Sequence, residues 1–569
     1  MSELPSRAGV IPIVDAAALK SRARGKPKGR AQDPQAQAQV RALLGTEPRR
    51  RDLLIEYLHR VQDSFGHISA AHIVALAAEL KLAMTEVYEV ATFYHHFDVV
   101  KDGEVPPPRL TVRVCASLSC EMAGASALRE ALAALSLGDA KIVAVPCVGR
   151  CHEAPVAVVG RNPIGHANVD GVGAALRHNA IEPVIAPYVA YREYRDAGGY
   201  KTLKDCVEGS RDRETVMAEM ENSGLRGLGG AGFPAGRKWR IVGAESGPRL
   251  MAVNIDEGEP GTFKDRWYLE RDPHRFLEGM LIAAHIVGIA EIYVYLRDEY
   301  AGCREILRRE LDALRADPPC PLPPIHLRRG AGAYICGEES AMMESIEGRR
   351  GMPRLRPPYV AQVGLFGRPT LEHNMETLYW VRDILEKGAD WFAGHGRNGR
   401  RGLRSFSVSG RVQKPGVYLA PAGITVHELI AEYCGGMLPG HELYGYLPGG
   451  ASGGILPAAM SDIPLDFDTL NPYGCFIGSA ALIVLSQHDK ARDAAANMLQ
   501  FFADESCGQC TPCRVGTEKA AALVLAPKWD QALLEDLAQA MADASICGLG
   551  QAAPNPIRSV IKYFPREIE

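Results

Sequence analysis

Eight of the fourteen cysteines fall into two compact sets, and these sets constrain the fold more than any other feature of the chain. The sets are Cys115-x4-Cys120 with Cys147-x3-Cys151, and Cys507-x2-Cys510-x2-Cys513 with Cys547. Four thiolates per set are what an iron–sulfur cluster requires. The N-terminus lacks a basic stretch followed by an apolar segment, so no export signal is expected. Clustered cysteines then favour cofactor ligation over a disulfide framework and predict a cytoplasmic location.

The spacing within each set indicates which cluster it holds. Three cysteines at intervals of three can hold three corners of a [4Fe–4S] cubane, with Cys547 at the fourth. A four-cysteine zinc site is the alternative, but such sites usually use two CxxC pairs. The two pairs of the first set suit the planar [2Fe–2S] rhomb, and a structural zinc or a redox disulfide stays open there. The six isolated cysteines are expected to be small buried hydrophobes.

Length and composition indicate several domains without a membrane span. The chain has 569 residues, is 47% apolar and carries a net charge of −4. This small charge gives no bulk attraction to nucleic acid. The longest apolar run, residues 279–296, contains His285 and Glu291 and changes from a helical to an alternating pattern, which predicts a helix followed by a buried strand.

Changes of periodicity divide the chain and predict an α/β multidomain fold. A basic disordered tail is expected at residues 1–34, although an arm that grips an acidic partner is an alternative. Helices are expected at 35–104, where the adjacent His95 and His96 are more typical of surface or core histidines than of zinc ligands. The further predicted units are a small α/β unit at 105–190, a larger α/β unit at 195–400, a β-rich module at 401–476 and a helical unit at 477–569.

Three loops rich in glycine and acidic residues occur in the larger α/β unit. They lie at residues 224–239, 254–266 and 330–340. The first is neither a dinucleotide fingerprint nor a P-loop, yet closely spaced glycines let backbone amides approach a phosphate or a flat ring. Each loop alone could be a solvated surface loop. Together they predict a shared crevice.

These segments resemble a known family. G-L-R-G-x-G-G-A-G-F-P-x-G-x-K-W, N-x-D-E-x-E-P-G-x-F-K-D-R, G-A-G-A-Y-I-C-G-E-E and C-G-x-C-x-P-C-R resemble the flavin- and NADH-binding subunit of respiratory complex I. Residues from about 35 to 180 resemble the small thioredoxin-like [2Fe–2S] subunit of that complex. The resemblance implies a helical bundle, a thioredoxin-like [2Fe–2S] domain, an FMN/NAD-binding domain, a β-grasp-like soluble ligand-binding module and a helical [4Fe–4S] domain, in that order.

The fusion of the two units is similar to two groups of relatives. These are the β subunit of NAD-dependent molybdenum or tungsten formate dehydrogenases and the diaphorase subunit of NAD-reducing hydrogenases. Residues 367–378 resemble the formate dehydrogenase branch most. That resemblance implies electron transfer from a formate-oxidising α subunit, which carries a molybdenum or tungsten pterin cofactor and further clusters, through Fe–S clusters to FMN and NAD⁺. The alternative is a diaphorase subunit of a hydrogenase or a module of complex I. A third possibility is a zinc-stabilised scaffold without redox activity, but that interpretation leaves the three loops unexplained.

The resemblance also implies roles for individual residues. Phe233 matches a position that stacks on the nicotinamide. Glu259 and Glu339 match positions that contact NAD(H), and they would repel the extra phosphate of NADP. These three residues are the catalytic residues that the resemblance implies. Arg356 and Tyr359 also match NAD(H) contacts. Positions that hold FMN are matched by Gly227, Gly229, Lys238, Asn254, Asp256, Glu257, Gly337, Glu338 and Asn374. The metal ligands implied are the eight cysteines of the two sets.

Three residues depart from the family pattern. Leu228 stands where arginine is usual, which puts a phosphate or ring contact in doubt. Arg356 replaces lysine, which keeps the charge but changes the geometry. His373 replaces asparagine and is expected to alter a ribityl or phosphate contact.

Overall fold

The computed structural model describes residues 30–135 and 140–569. Most of the predicted basic tail, residues 1–29, lies outside this part of the chain. The first described helix, α1 (Pro34–Leu44), begins within the predicted tail and is capped by Asp33, whose carboxylate accepts the backbone N–H of Ala36 at 2.8 Å. Proline at the first helical position is favourable because its missing N–H has no helical partner there.

The N-terminal region is helical, as predicted. Its other helices are α2 (Leu54–Phe65), α3 (Ala70–Leu80) and α4 (Met84–Phe93). Helix α3 buries Ile73, Leu76, Ala77 and Leu80, whose spacing of i, i+3, i+4 and i+7 places them on one helix face. Two short strands, β1 (Ile68–Ser69) and β2 (Val99–Val100), pair in parallel and join the chain before α3 to the chain after α4.

The small α/β unit contains a four-stranded sheet of order β4-β3-β5-β6, formed by β3 (Leu110–Cys115), β4 (Ala140–Val145), β5 (Ala157–Val159) and β6 (Asn162–Ile164). Strand β3 pairs in parallel with β4 and antiparallel with β5, which pairs antiparallel with β6. The helices of the unit are α5 (Leu118–Met122), α6 (Ala125–Ala134) and α7 (Val169–Arg177). The carboxyl ends of the parallel strands β3 and β4 therefore carry both cysteine pairs to one edge.

The larger α/β unit contains a parallel sheet of order β10-β7-β8-β9, formed by β7 (Arg249–Ile255), β8 (Ile289–Leu296), β9 (Ile325–Arg329) and β10 (Thr370–Asn374). Helix α13 (Pro273–Val287) ends at Gly288, which adopts a left-handed conformation and leads into β8, so the helix–strand prediction for residues 279–296 is confirmed. Helices cover the sheet, and its central strands β7 and β8 are mostly apolar because both of their faces are buried.

The other helices of this unit precede or follow α13 in the chain. Before α13 they are α8 (Tyr191–Asp196), α9 (Lys201–Val207), α10 (Arg213–Asn222), α11 (Ala235–Ala244) and α12 (Lys264–Leu269). After α13 they are α14 (Ala301–Ala316), α15 (Glu339–Ile346), α16 (Met375–Tyr379), α17 (Val381–Lys387) and α18 (Ala389–Ala393).

The β-rich module contains a five-stranded sheet of order β12-β11-β15-β13-β14. Strands β11 (Leu403–Gly410) and β12 (Gly416–Pro421) form an antiparallel hairpin, and a capping box of Thr425 and Glu428 opens α19 (Val426–Glu432). Its remaining strands are β13 (Leu443–Leu447), β14 (Leu456–Pro457) and β15 (Ala481–Ser486). Strand β15 pairs with β11 and β13, so the sheet continues beyond the predicted module boundary at residue 476.

The C-terminal region is helical after β15. Its helices are α20 (Ala491–Asp504), α21 (Thr511–Leu523), α22 (Gln531–Ala544), α23 (Gly548–Ala552) and α24 (Asn555–Tyr563). One hydrophobic cluster joins these helices to the N-terminal helices and to the chain around Ile335 in the larger α/β unit, so these parts share a core. Across residues 30–135 and 140–569, none of the helices has both the length and the apolar character needed to cross a bilayer.

Candidate functional site

The first cysteine set converges at one edge of the small sheet. Cys115 ends β3, Cys120 lies in α5, and Cys147 and Cys151 flank the turn that follows β4. All four are buried, and the sulfurs of Cys147 and Cys151 lie 3.3 Å apart. In the described part of the chain all the cysteines are free thiols, so the redox-disulfide alternative gains no support.

The turn at residues 147–152 packs against the larger α/β unit. The ring of His152 stacks on Phe263 at a centroid distance of 4.7 Å, and Phe263 forms a small apolar cluster with Cys147 and Cys151. Gly149 has φ of +71° and lies directly against the ring of Tyr300. The candidate cluster site is therefore enclosed between two units.

The second cysteine set also converges. Cys507, Cys510, Cys513 and Cys547 line one small cavity together with Ile335 and Leu549. Cys510 precedes the first residue of α21, where the helix dipole favours negative charge. Burial raises the pKa of Cys513 to about 11 and that of Cys547 to about 12. Such thiols become thiolates when a metal replaces their protons, which fits a cluster site.

A cavity of about 340 Å³ lies where the three predicted loops meet, so the expected shared crevice is confirmed. Its walls also include residues of the β-rich module and of the C-terminal helices. Of the sequence-predicted residues, those that line it are Gly229, Asn254, Asp256, Glu257, Glu259, Gly337, Glu338 and Asn374. Those outside the lining are Gly227, Phe233, Lys238, Glu339, Arg356 and Tyr359.

Asn254 and Asp256 join two of the cavity loops. The Asn254 amide donates to the carbonyl oxygen of Gly337 at 2.8 Å, and its oxygen accepts the backbone N–H of Asp256 at 3.1 Å. A Cβ atom on Gly337 would lie 3.1 Å from the Asp256 carbonyl oxygen, so the loops approach too closely for a larger residue without adjustment. Burial raises the pKa of Asp256, and its buried Oδ2 lacks a hydrogen-bond partner among the described residues. A bound polar ligand would satisfy this oxygen.

A buried ion cluster supports the opposite wall. Lys264 Nζ lies 2.9 Å from both Asp265 Oδ1 and Glu376 Oε2. Burial opposes its charge, but the carboxylates raise the pKa of Lys264, which stays cationic. Asn374 donates to Asp265 Oδ2 at 2.6 Å. Lys264 and Asp265 line the cavity without having been predicted as site residues, although both lie within the second loop motif.

Glu257 and Lys238 act mainly on the cavity walls. The Glu257 carboxylate accepts the backbone N–H groups of Asp265 at 2.8 Å and of Arg266 at 3.2 Å, which satisfies the first turn of α12. Lys238 pairs with Glu372 at 2.6 Å, and Glu372 also accepts from Asn254 at 3.4 Å. Both residues therefore brace the walls through neighbours.

Glu259 connects the cavity to the β-rich module. Its carboxylate accepts the backbone N–H of Ser452 at 2.8 Å and the Ser452 hydroxyl at 2.7 Å, and it also accepts the Tyr334 hydroxyl. Burial raises its pKa. Tyr334 lines the cavity from within the third predicted loop, and further lining residues that the sequence did not indicate are Ser452, Phe476, Gly478, Ser479, Phe502, Gly548, Leu549 and Ala552. The glycine pairs at 449–450 and 453–454 could have indicated a tight turn around Ser452. Nothing in the sequence around the apolar C-terminal residues indicates that they line a cavity.

The remaining predicted residues lie nearer the surface. Arg356 forms ion pairs with Glu338 and, at 3.3 Å, with Glu339. Tyr359 is 57% exposed and Phe233 is 40% exposed. These residues offer charged and aromatic groups to solvent.

Leu228 and His373 point away from the cavity. The side chain of Leu228 is buried in the core of the larger α/β unit, and its backbone N–H donates to Thr377 at 2.9 Å. The buried His373 ring accepts from Trp239 Nε1 at 2.9 Å. Burial and then the charge of Lys238 lower its pKa well below the usual value, so the ring is neutral. The expectation that His373 alters a ligand contact gains no support from this geometry.

His96 belongs to a cluster of ion pairs. His96 Nδ1 lies 2.5 Å from Asp298 Oδ2 and its ring lies beside His59. Arg329 and Arg304 also contact this carboxylate. Two guanidinium groups already supply positive charge there, which disfavours a further cation.

Four family models match the chain. They are the Nuo51 FMN-binding domain at residues 220–383, the NADH-ubiquinone oxidoreductase-F iron-sulfur binding region at 493–569, the thioredoxin-like [2Fe-2S] ferredoxin at 40–180 and the SLBB domain at 405–456. The predicted fold class and the predicted cofactor domains for FMN, [2Fe–2S] and [4Fe–4S] are confirmed.

Individual proteins match over long stretches. The F 2 subunit of NADH-quinone oxidoreductase from Rhizobium meliloti (strain 1021) is 39% identical over 66% of this chain and 92% of its own length. The F subunit of NADH-quinone oxidoreductase from Aquifex aeolicus (strain VF5) is 39% identical over 66% of this chain and 90% of its own. A crystal structure of NAD⁺-reducing [NiFe]-hydrogenase in the H₂-reduced state has a chain that is 30% identical, with a TM-score of 0.81, over 91% of this chain and 93% of its own.

Proposed function

We propose that this chain, which belongs to the family of NADH-quinone oxidoreductase F subunits, is the β subunit of an NAD⁺-reducing formate dehydrogenase. Membership of the family makes it an NAD-linked flavin and iron–sulfur electron-transfer subunit. The observation that carries the function is the joining of both cysteine sets and the flavin-domain cavity in one packed chain. The choice of the formate dehydrogenase branch is supported by the resemblance of residues 367–378, which include β10 of the cavity sheet.

The cavity residues fit FMN. Gly229, Asn254, Asp256, Gly337 and Asn374 would hold it, because they bring backbone amides, amide side chains and an unpaired carboxylate oxygen to one space. Lys238 and Glu257 would act on it through the walls that they brace. When bound, FMN supplies the conversion between hydride chemistry and single electrons. The chain's own task is to hold it in place and shield it from water.

NAD(H) would meet the exposed residues of the same region. Phe233 and Tyr359 offer aromatic rings, Arg356 offers a cation, and Glu339 lies beside it. Glu259 and Glu339 would repel the extra phosphate of NADP. Replacing both glutamates by glutamine is expected to lower the preference for NAD over NADP in a steady-state comparison, and an unchanged ratio would refute this role.

The two cysteine sets would ligate the two clusters. Cys115, Cys120, Cys147 and Cys151 would hold [2Fe–2S], and Cys507, Cys510, Cys513 and Cys547 would hold [4Fe–4S]. The catalytic chemistry on formate would lie on a partner α subunit that carries a molybdenum or tungsten pterin cofactor and further clusters. We place this assembly in the cytoplasm.

The second candidate is the diaphorase subunit of an NAD-reducing hydrogenase. It is favoured by the match of nearly the whole chain to the hydrogenase structure. One experiment separates the two: the native assembly is purified anaerobically, its large subunit is identified by mass spectrometry, and NAD⁺ reduction is measured with formate and with hydrogen. The formate proposal predicts a pterin-containing partner and formate-dependent NADH. Hydrogen-dependent NADH without a formate response would replace it with the second candidate.

A further inference from the structure

Two arginines of the larger α/β unit donate hydrogen bonds to the turn that carries Cys147 and Cys151. Arg266 Nε donates to the carbonyl oxygen of Gly149 at 2.8 Å, and Arg297 Nη2 donates to that of Cys147 at 2.7 Å. Both arginines are at least 95% buried. Each guanidinium also has a partly exposed carboxylate partner: Arg266 pairs with Glu270, and Arg297 pairs with Glu299, which accepts from Nε and lies 3.1 Å from Nη2.

Arg297 also reaches the cavity wall. Its Nη1 donates to the main-chain carbonyl oxygen of Glu257, so one guanidinium contacts both the cysteine turn and a loop that lines the flavin-domain cavity. It follows β8, a central strand of the parallel sheet, which fixes its backbone. This is a rigidly placed positive charge between the two redox sites.

We propose that Arg297 is a positioning residue that raises the reduction potential of the [2Fe–2S] cluster. This inference rests on the proposed ligand role of Cys147. The reduced cluster bears one more negative charge than the oxidised cluster, so a nearby buried cation stabilises the reduced form. Hydrogen bonding to the ligand loop keeps that cation in place.

Charge variants test the inference by EPR-monitored redox titration of the cofactor-loaded chain. Arg297→Gln removes the cation and is expected to lower the reduced-to-oxidised ratio at the wild-type midpoint about tenfold, a shift of about 59 mV to more negative potential for one electron. Arg297→Lys keeps the charge and is expected to stay close to wild type. Glu299→Gln removes the opposing charge and is expected to shift the potential to less negative values.

A matched control is Arg492→Gln. Arg492 likewise donates to main-chain carbonyls, those of Ala526 and Pro527 at 2.7 Å, and contacts neither cysteine set. It is expected to leave the [2Fe–2S] potential unchanged, and the [4Fe–4S] potential serves as an internal reference in every variant.

The outcomes separate the inference from the proposed function. A wild-type chain without a [2Fe–2S] signal would overturn the ligand assignment itself. A signal with unchanged potential in Arg297→Gln, or an equal shift in Arg297→Gln and Arg297→Lys, would overturn the charge role of Arg297. If Arg297→Gln fails to retain the cluster, Glu299→Gln decides: a less negative potential supports the role and an unchanged one refutes it.

Discussion

Replacing Gly149 by alanine is expected to loosen the turn that carries Cys147 and Cys151. The φ of +71° at Gly149 costs an L residue roughly 1–2 kcal/mol. A Cβ atom there would lie 2.2 Å from the Tyr300 hydroxyl oxygen. Tyr300 is buried and donates to Glu257 at 2.8 Å, so its ring cannot move without disturbing that bond. Overpacking of this kind adds about 1–3 kcal/mol, which gives a total of roughly 2–5 kcal/mol.

Amide hydrogen exchange, measured by mass spectrometry on the cofactor-loaded chain, detects the loosening of this turn. A local opening that is easier by about 3 kcal/mol accelerates exchange roughly 100-fold. We expect that acceleration in peptides covering residues 147–152. The control is Gly124→Ala, because Gly124 has φ of +93° but nothing within 4 Å of an added Cβ atom, and it is expected to leave these peptides unchanged. Wild-type exchange in the Gly149 variant would refute the docking of this turn against Tyr300.

Three further predictions address the two other sites and pH. Cys547→Ser is expected to abolish the [4Fe–4S] EPR signal and spare the [2Fe–2S] signal, whereas Cys475→Ser, a buried thiol outside both sets, spares both; a persistent [4Fe–4S] signal in Cys547→Ser would contradict the assignment. Gly337→Ala crowds Asp256 and is expected to reduce bound FMN several-fold by flavin fluorescence after release, whereas Gly302→Ala, which makes only ordinary contacts, retains it; equal FMN content would count against the proposed cavity. The pKa of buried His373 lies well below 6.5 in the folded chain. Below about pH 6.5 this imidazole is protonated in the unfolded chain but stays neutral in the folded chain, so the free energy of unfolding falls as the pH drops. His373→Asn should therefore show a smaller drop in unfolding temperature between pH 7.5 and 5.5, and an unchanged drop would disprove this.

Local patterns predicted the elements and the placement of the cysteines. Cys115 ends β3 and Cys147 closely follows β4, and the parallel pairing of these strands brings both residues to one edge. The capping box of Thr425 and Glu428 is likewise a local signal. The three loops share a cavity, with the second and third at the ends of β7 and β9 in one parallel sheet.

Contacts between distant segments could not be predicted in this way. Ser452 reaches Glu259 from another unit, and Arg297 reaches Cys147 across 150 positions. Neither contact leaves a periodicity in the sequence. Strand β15 pairs with β11, which lies far earlier in the chain. Because the residues that follow β15 are helical, the sequence pattern assigned this strand to the C-terminal helical unit. Sequence similarity also could not show that His373 lies behind the cavity, because burial depends on the packing of Trp239.

The central claim is that one chain holds FMN, a [2Fe–2S] and a [4Fe–4S] cluster in electronic contact with NAD(H). The most direct measurement is anaerobic titration of the purified, cofactor-loaded chain with NADH, followed by visible absorption and EPR together. We predict one FMN and one cluster of each kind per chain, bleaching of the flavin absorption, and the appearance of reduced-cluster signals. A folded chain that binds neither flavin nor iron, or whose cofactors do not respond to NADH, would contradict the claim.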